Sequence, residues 1–210
     1  MNFIPPQDET RLRAAASGVL PNGKPVIVNA DGTVSLPSGP SSGTAVTFNT
    51  DATTLVRTLY DTNSNKIVHI FQDGGNFIGR AIVGTVSETS ISYGSEVGFA
   101  DGTIEAFGAA FDSSANKIII AYATGSKGRA VVGTVSGTGI SFGTVAEFDS
   151  ANPSDVSVAY DAANNKSVIF YRDTNNSNYL TSIVATVSGT NISFGTGVVA
   201  NSANSRRMEA

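Results

Sequence analysis

Tyr160-Asp161-Ala162-Ala163-Asn164-Asn165-Lys166-Ser167-Val168 is the third appearance of one pattern. Its earlier copies are Tyr60-Asp61-Thr62-Asn63-Ser64-Asn65-Lys66-Ile67-Val68 and Phe111-Asp112-Ser113-Ser114-Ala115-Asn116-Lys117-Ile118-Ile119. Phe111 follows Tyr60 by 51 residues, and Tyr160 follows Phe111 by 49. A second phrase trails each copy: Gly84-Thr85-Val86-Ser87, Gly133-Thr134-Val135-Ser136 and Ala185-Thr186-Val187-Ser188. A third follows in turn, as Ile91-Ser92-Tyr93-Gly94, Ile140-Ser141-Phe142-Gly143 and Ile192-Ser193-Phe194-Gly195. Recurrence in one order at this period marks a repeat architecture.

The first phrase has the chemistry of a turn. An Asp carboxylate can accept from the backbone two residues on, Asn tolerates left-handed backbone, and Lys resumes the strand. Ser-Gly-Thr-Gly at 136–139 and Ser-Gly-Thr-Asn at 188–191 read as hairpin connections. Between turns lie short runs of β-branched and aromatic residues. In the last unit they predict strands at about Val156–Tyr160, Lys166–Tyr171, Leu180–Val187 and Ile192–Val199. Four antiparallel strands in about fifty residues suit one blade of a β-propeller. A flat β-solenoid and a β-sandwich are the other all-β solutions.

The expected organisation is an N-terminal leader over 1–40 and a repeat domain over 41–210. The units fall at about 51–100, 101–150 and 151–200, with a further one beginning at 201–210. Gly43-Thr44-Ala45-Val46-Thr47-Phe48 mirrors Gly143-Thr144-Val145-Ala146-Glu147-Phe148, so 44–50 reads as a fourth strand preceding the first unit. In the leader, Asn22-Gly23 and Asp31-Gly32 punctuate short strands, Glu9–Ala16 carries a helical period, and Leu36–Gly43 is a Pro/Ser/Gly linker. Three units and a fraction fall short of the four to eight blades of closed propellers. They leave strand edges that invite association, so the expectation is a piece of a longer array or one whose edges neighbours cover.

Charged residues are only 14% of the chain and the net charge is −4, with no basic stripe. That argues against a nucleic-acid backbone as partner. No apolar run reaches the roughly 18 residues of a membrane span, so membrane insertion is not expected. There is no cysteine, which removes disulfides and thiolate metal sites. His69 is the single histidine and sits in an apolar run, Ile67-Val68-His69-Ile70-Phe71, where the other copies carry Ile120 and Ile169. A Ser-His-Asp site would need a serine held against His69, yet no Gly-x-Ser-x-Gly occurs. Paired-carboxylate glycoside hydrolysis is open to propellers, but the Asp-box pattern with its Trp is missing. Asp173–Asn178 is oxygen-rich but lacks the Gly and terminal Glu of an EF-hand loop. The expectation is no enzyme, no cofactor and no metal.

The leader run Ala15-Ala16-Ser17-Gly18-Val19-Leu20-Pro21-Asn22-Gly23-Lys24-Pro25-Val26, with Asp31-Gly32-Thr33-Val34, resembles segments of marine tailed-phage virion proteins. The units around Asn65-Lys66 and Gly84-Thr85-Val86-Ser87 are similar to repeats in tail-fibre and other virion-surface proteins. The resemblance implies a virion structural protein (fibre, spike or decoration element) that attaches to the host surface. Its leader would join other virion proteins, its copies would form a homo-oligomer with a trimer favoured, and a host-surface glycan would be the candidate ligand. The start lacks the basic and apolar regions of a signal peptide, and the Ser/Thr/Asn/Gly-rich body suits the outside of a particle. The alternative is an extracellular carbohydrate-binding or glycan-hydrolysing propeller.

Repeats also reveal where the chain diversifies. The Asn-Lys and Ser-Gly-Thr links stay nearly constant, whereas the links between second and third strands differ: Gln72–Phe77, Thr124–Arg129 and Asp173–Tyr179. The links between units, around Ala100–Gly102 and Asp149–Asp155, also differ. In a propeller both variable sets emerge on one face, as a binding scaffold requires. The candidate ligand-binding residues are Asp73, Asn76, Phe77, Lys127, Arg129, Asn176 and Tyr179.

Overall fold

The computed structural model describes residues 15–20, 22–37, 42–150 and 153–204, and for Asp101 the backbone alone. Among them the chain is all-β with no helix, and its strands form three antiparallel sheets, none of them closed. The chain divides into two compact units, Met1–Gly43 and Thr44–Ala210. Most of the expected helical stretch, half of the 36–43 linker and the new strand from 205 onward fall on residues outside those described, and Ala16 forms a β-bridge with Val34.

In the smaller unit, β1 (Ile27–Val28) and β2 (Val34–Ser35) pair as Ile27↔Ser35 and Val28↔Val34. The turn between them forms because the Asp31 carboxylate accepts from the backbone N–H and the hydroxyl of Thr33, at 3.0 and 2.7 Å. Those bonds hold the Asp31 pKa below the ordinary carboxylate value, the hydroxyl contributing most.

The larger unit repeats one meander three times. Its first round is β3 (Thr53–Asp61), β4 (Lys66–Asp73), β5 (Ile78–Ser87), β6 (Ser90–Tyr93) and the start of β7 (Val97–Asp112). The second uses the rest of β7, then β8 (Lys117–Thr124), β9 (Lys127–Ser136), β10 (Gly139–Phe142) and β11 (Ala146–Asp149). The third is β12 (Pro153–Asp161), β13 (Lys166–Asp173), β14 (Tyr179–Ser188), β15 (Asn191–Phe194) and β16 (Val198–Asn204).

The Asp turns work as their chemistry requires. Asp61 Oδ1 accepts from the N–H groups of Asn63 and Ser64 at 2.9 and 3.0 Å, and Asp112 and Asp161 repeat the arrangement. Asn65, Asn116 and Asn165 take φ of 55, 54 and 52°, the left-handed backbone that Asn tolerates better than most residues.

Three expectations are corrected. The fourth strand of each unit is broken in two, as β6 and the start of β7, β10 and β11, and β15 and β16. The breaks fall at Gly94, Gly143 and Gly195. At the first two, the hairpin tip of the next unit intrudes: a Cβ on Gly94 would collide with the Thr138 carbonyl, and one on Gly143 with that of Thr190. The link at Ala100–Gly102 is no loop. β7 runs straight through it, with Thr103 opposite Ile78 of β5 and Ile104 opposite Thr124 of β8. Residues 44–50 form no strand, although Phe48 takes the place their sequence implies. A strand needs a neighbour's ladder, and among the described residues 44–50 pair with none.

The first two units are one nine-stranded sheet joined through β7 and the third unit is a five-stranded sheet of its own, with one apolar core between each pair of consecutive units. The first lies between Val68, Ile70, Ala81 and Val83 of the first unit and Ile118, Ile120, Tyr122 and Val131 of the second. The second lies between Ile119, Ala121, Ala130 and Val132 and the third unit's Ile169, Tyr171, Ile183 and Ala185. Alternation along a strand sends neighbours to opposite faces, so the middle unit feeds both cores. The first strands lie side by side: a Cβ at Gly108 of β7 would stand 2.5 Å from Ser157 Cα of β12.

Candidate functional site

The strand registers sort the turns onto two ends. Asp61↔Lys66, Asp112↔Lys117 and Asp161↔Lys166 close the constant turns at one end, and Ser87↔Ser90 and Ser136↔Gly139 close hairpins there too. Thr53↔Asp73, Thr124↔Lys127 and Asp173↔Tyr179 bring the variable connections to the opposite end. Pro153↔Asp173 and Asp149↔Gly128 place the second inter-unit link beside them. All seven candidate residues therefore stand at one end of their sheets, in or beside three separate connections: Asp73 ends β4, Lys127 and Arg129 open β9, and Tyr179 opens β14.

The first loop is the most constructed. Asp73 is buried, not presented: its Oδ1 accepts from Gly75 N–H at 3.0 Å and its Oδ2 from Arg80 Nε at 2.6 Å. The Gly75 bond first, and then Arg80, hold its pKa below the ordinary carboxylate value. Arg80 also approaches Glu96 at 3.9 Å, and Glu96 accepts from Asn49 at 3.0 Å. Asn76 is exposed, with its Oδ1 3.4 Å from Ile78 N–H.

Phe77 departs from every ordinary preference. Its φ is 59° and it is 52% exposed. The left-handed region costs a residue bearing a Cβ roughly 1–2 kcal/mol, and an exposed ring recovers little of that by burial. The conformation is held from both sides. Phe77 N–H donates to the Asp73 carbonyl at 2.7 Å, and Phe77 C=O accepts from Ile104 N–H at 3.0 Å. The buried Gln72 amide donates to the same carbonyl at 3.3 Å and to the Ile104 carbonyl at 2.5 Å.

The other loops carry simpler features. Lys127 is exposed and pairs with Glu147 at 2.5 Å, and Arg129 is half-buried opposite Glu147 and Tyr122. In the third loop Asp173 Oδ1 accepts from the N–H groups of Asn175 and Asn176, at 3.0 and 3.1 Å. Asn176 is exposed, and its carbonyl accepts from Tyr179 N–H at 2.9 Å. Ser177 and Asn178 have φ of 55 and 60°. The oxygen-rich stretch is thus tied up as a turn. Among the described residues no three His, Asp or Glu side chains are grouped to hold a metal ion.

Sequence reasoning missed Gln72, Arg80 and Glu96, which support the first loop. Only Gln72 left a signal, a buried-strand position where the other units carry Ala123 and Arg172. His69 is half-buried, with Nδ1 2.8 Å from Thr58 Oγ1, Nε2 3.3 Å from Tyr93 Oη, and its ring stacked on Phe48 at 5.2 Å. Burial lowers its pKa. Among the described residues no helix is long and apolar enough to cross a membrane. Compared with known proteins, the chain matches no family model, and no curated protein matches it.

Proposed function

We propose that Thr44–Ala210 forms consecutive blades of a β-propeller-like array on the surface of a virus particle, and that its variable loop end touches the host. The blade reading is supported by three meanders of one strand order, with first strands side by side and consecutive meanders sharing cores. Attachment rests on one observation above others. Phe77 is kept exposed and left-handed by a dedicated set of hydrogen bonds, at the only end where the repeats diverge. Stored backbone strain clusters where a protein contacts its ligands.

On this reading Phe77 offers a flat apolar face, and Asn76, Lys127 and Asn176 offer exposed polar groups around the same end. That combination suits a host-surface glycan, whose sugar rings present both apolar faces and hydroxyl edges. The leader serves as the joint to other virion proteins. The test is mass spectrometry of purified particles from the genome that encodes the chain, followed by adsorption to host cells. The polypeptide should be present, and Phe77→Ala should reduce adsorption at least tenfold while the particles still assemble. Absence from particles overturns the virion reading, and undiminished adsorption overturns the role of this loop. Polysaccharide turnover by the purified chain that stops on replacing a loop carboxylate would establish the free glycan-hydrolysing alternative.

A further inference from the structure

Consecutive units meet along two seams, and one of them is the same at both joints. Phe99 leaves the fourth strand of the first unit and packs on Tyr122 and Phe142 of the second, with ring centroids at 5.4 and 5.8 Å. Phe148 does the same from the second unit to Tyr171 and Phe194 of the third, at 5.3 and 5.9 Å. A glycine makes room for each ring: a Cβ at Gly128 would lie 2.5 Å from the Phe148 ring, and one at Gly79 would overlap Phe99.

The seam along the first strands differs between the joints. The registers Arg57↔Ile70, Gly108↔Ala121 and Ser157↔Phe170 set Arg57, Gly108 and Ser157 at one level of β3, β7 and β12. At the second joint two small residues meet, and the strands close until a Cβ at Gly108 would stand 2.5 Å from Ser157 Cα. The first joint has an arginine at that level, and there the seam opens. A cavity of about 240 Å³ is lined by Leu55, Val56 and Arg57 of β3 and by Phe107 of β7. Both walls belong to described strands of the chain. Inside it a cation stands against apolar side chains. Arg80 and Arg172 are paired with Asp73 and Asp155, but no hydrogen bond or ion pair joins Arg57 to any described residue. Glu105, the acid nearest Phe107 along β7, is exposed and forms no bond with it. The bulge next to Arg57 sets this place apart. β3 and β12 bulge at the same point, and Leu55 and Asp155 both take φ of 50°. On β12 the bulged residue is an acid, held 3.0 Å from Arg172 Nε. On β3 it is a leucine beside a guanidinium without a partner.

We propose that this cavity binds a small monocarboxylate with an apolar body, such as an arylalkanoic or medium-chain alkanoic acid. The guanidinium donates two parallel N–H···O bonds to the carboxylate, and Leu55, Val56 and Phe107 cover the body. Arg57 is the one lining residue with a charge or a side-chain donor. It therefore matches a single carboxylate and leaves a doubly charged phosphate half neutralised. The volume lies below the roughly 300–1,000 Å³ of pockets for drug-sized ligands, which keeps the ligand small. None of the four lining residues is among the loop candidates, and the proposal does not depend on the attachment reading.

Chemical-shift mapping with hydrocinnamate and octanoate at neutral pH tests it. At least one of these acids should cause saturable shifts centred on Leu55, Val56, Arg57 and Phe107. Hydrocinnamamide, which lacks the charge, and inorganic phosphate should each bind at least tenfold more weakly. Arg57→Gln should weaken the acid at least tenfold with an unchanged melting curve, since the side chain has no partner to lose. Leu55→Asp, which copies the bulged residue of β12, should do the same by giving the guanidinium an internal carboxylate. Absence of saturable shifts with both acids overturns the proposal. So does amide or phosphate binding as tight as that of the acid, or an affinity that both variants leave intact.

Discussion

Phe77, Asp73 and His69 each carry a cost or a bond whose sign can be worked out. Glycine takes the left-handed backbone at no steric cost, so Phe77→Gly should stabilise the domain by about 1 kcal/mol, read as a shift in urea midpoint. The same change should weaken adsorption on the proposed reading, the exchange of stability for function expected of a strained contact residue. The Asp73 carboxylate is held below its ordinary pKa by Gly75 N–H and by Arg80. Its contribution is therefore complete above the unfolded value of about 3.9 and fades as pH falls through the lower folded value. Asp73→Asn should cost stability at neutral pH, and the gap between variant and wild type should close progressively below about pH 4, followed by denaturant titration. His69 runs the other way. Its folded pKa lies below 6.5 because burial disfavours the imidazolium, so below that pH the unfolded chain binds more protons and stability declines. The decline ends once pH passes the folded value. His69→Ile, the residue type at Ile120 and Ile169, should remove that slope in midpoints measured between about pH 7.5 and 5.

At the level of elements, the strands depend on close approaches that only small residues allow. Gly108→Ala would press a methyl group into the Ser157 backbone of the adjacent first strand. Backbone yields less readily than a flexible side chain, so the change should destabilise by roughly 2 kcal/mol, in the range of overpacked cores. Gly128→Ala meets the Phe148 ring instead, and the Phe148→Ala background should relieve much of its cost. A double-mutant cycle by thermal or chemical denaturation measures that coupling, and strict additivity would show that the ring is not what the glycine serves. The Asp turns were legible from sequence because a carboxylate, a left-handed Asn and a strand restart are all local. The broken fourth strands were not, since at each break Gly94, Gly143 or Gly195 donates to the Val83, Val132 or Val184 carbonyl of the adjacent third strand, a bond set only by the folded sheet.

For the whole molecule, stacked units give a stability that is the sum of units and joints. Phe148 joins the second and third units, so Phe148→Ala should cost about 3 kcal/mol or more and uncouple them. Hydrogen exchange followed by mass spectrometry should then find β12–β16 opening below the midpoint for β3–β9, whereas the wild type opens the two together. Uniform loss of protection across all three units would mean that the joint is carried elsewhere.

The sequence by itself determined what is periodic and local: an all-β chain, three units of about fifty residues, their turns, and the end at which their links diverge. These follow from alternation and turn chemistry, whose causes lie within a few residues of each position. Tertiary structure decided what depends on a neighbour. It withdrew the strand at 44–50, which joins no ladder among the described residues, and drew β7 through an expected loop. It turned Asp73 from a presented group into a buried anchor and left Phe77 exposed in a backbone conformation its side chain disfavours. Fourth-strand phenylalanines became fasteners between units, a role that no single repeat reveals because each slot is completed by the next sheet.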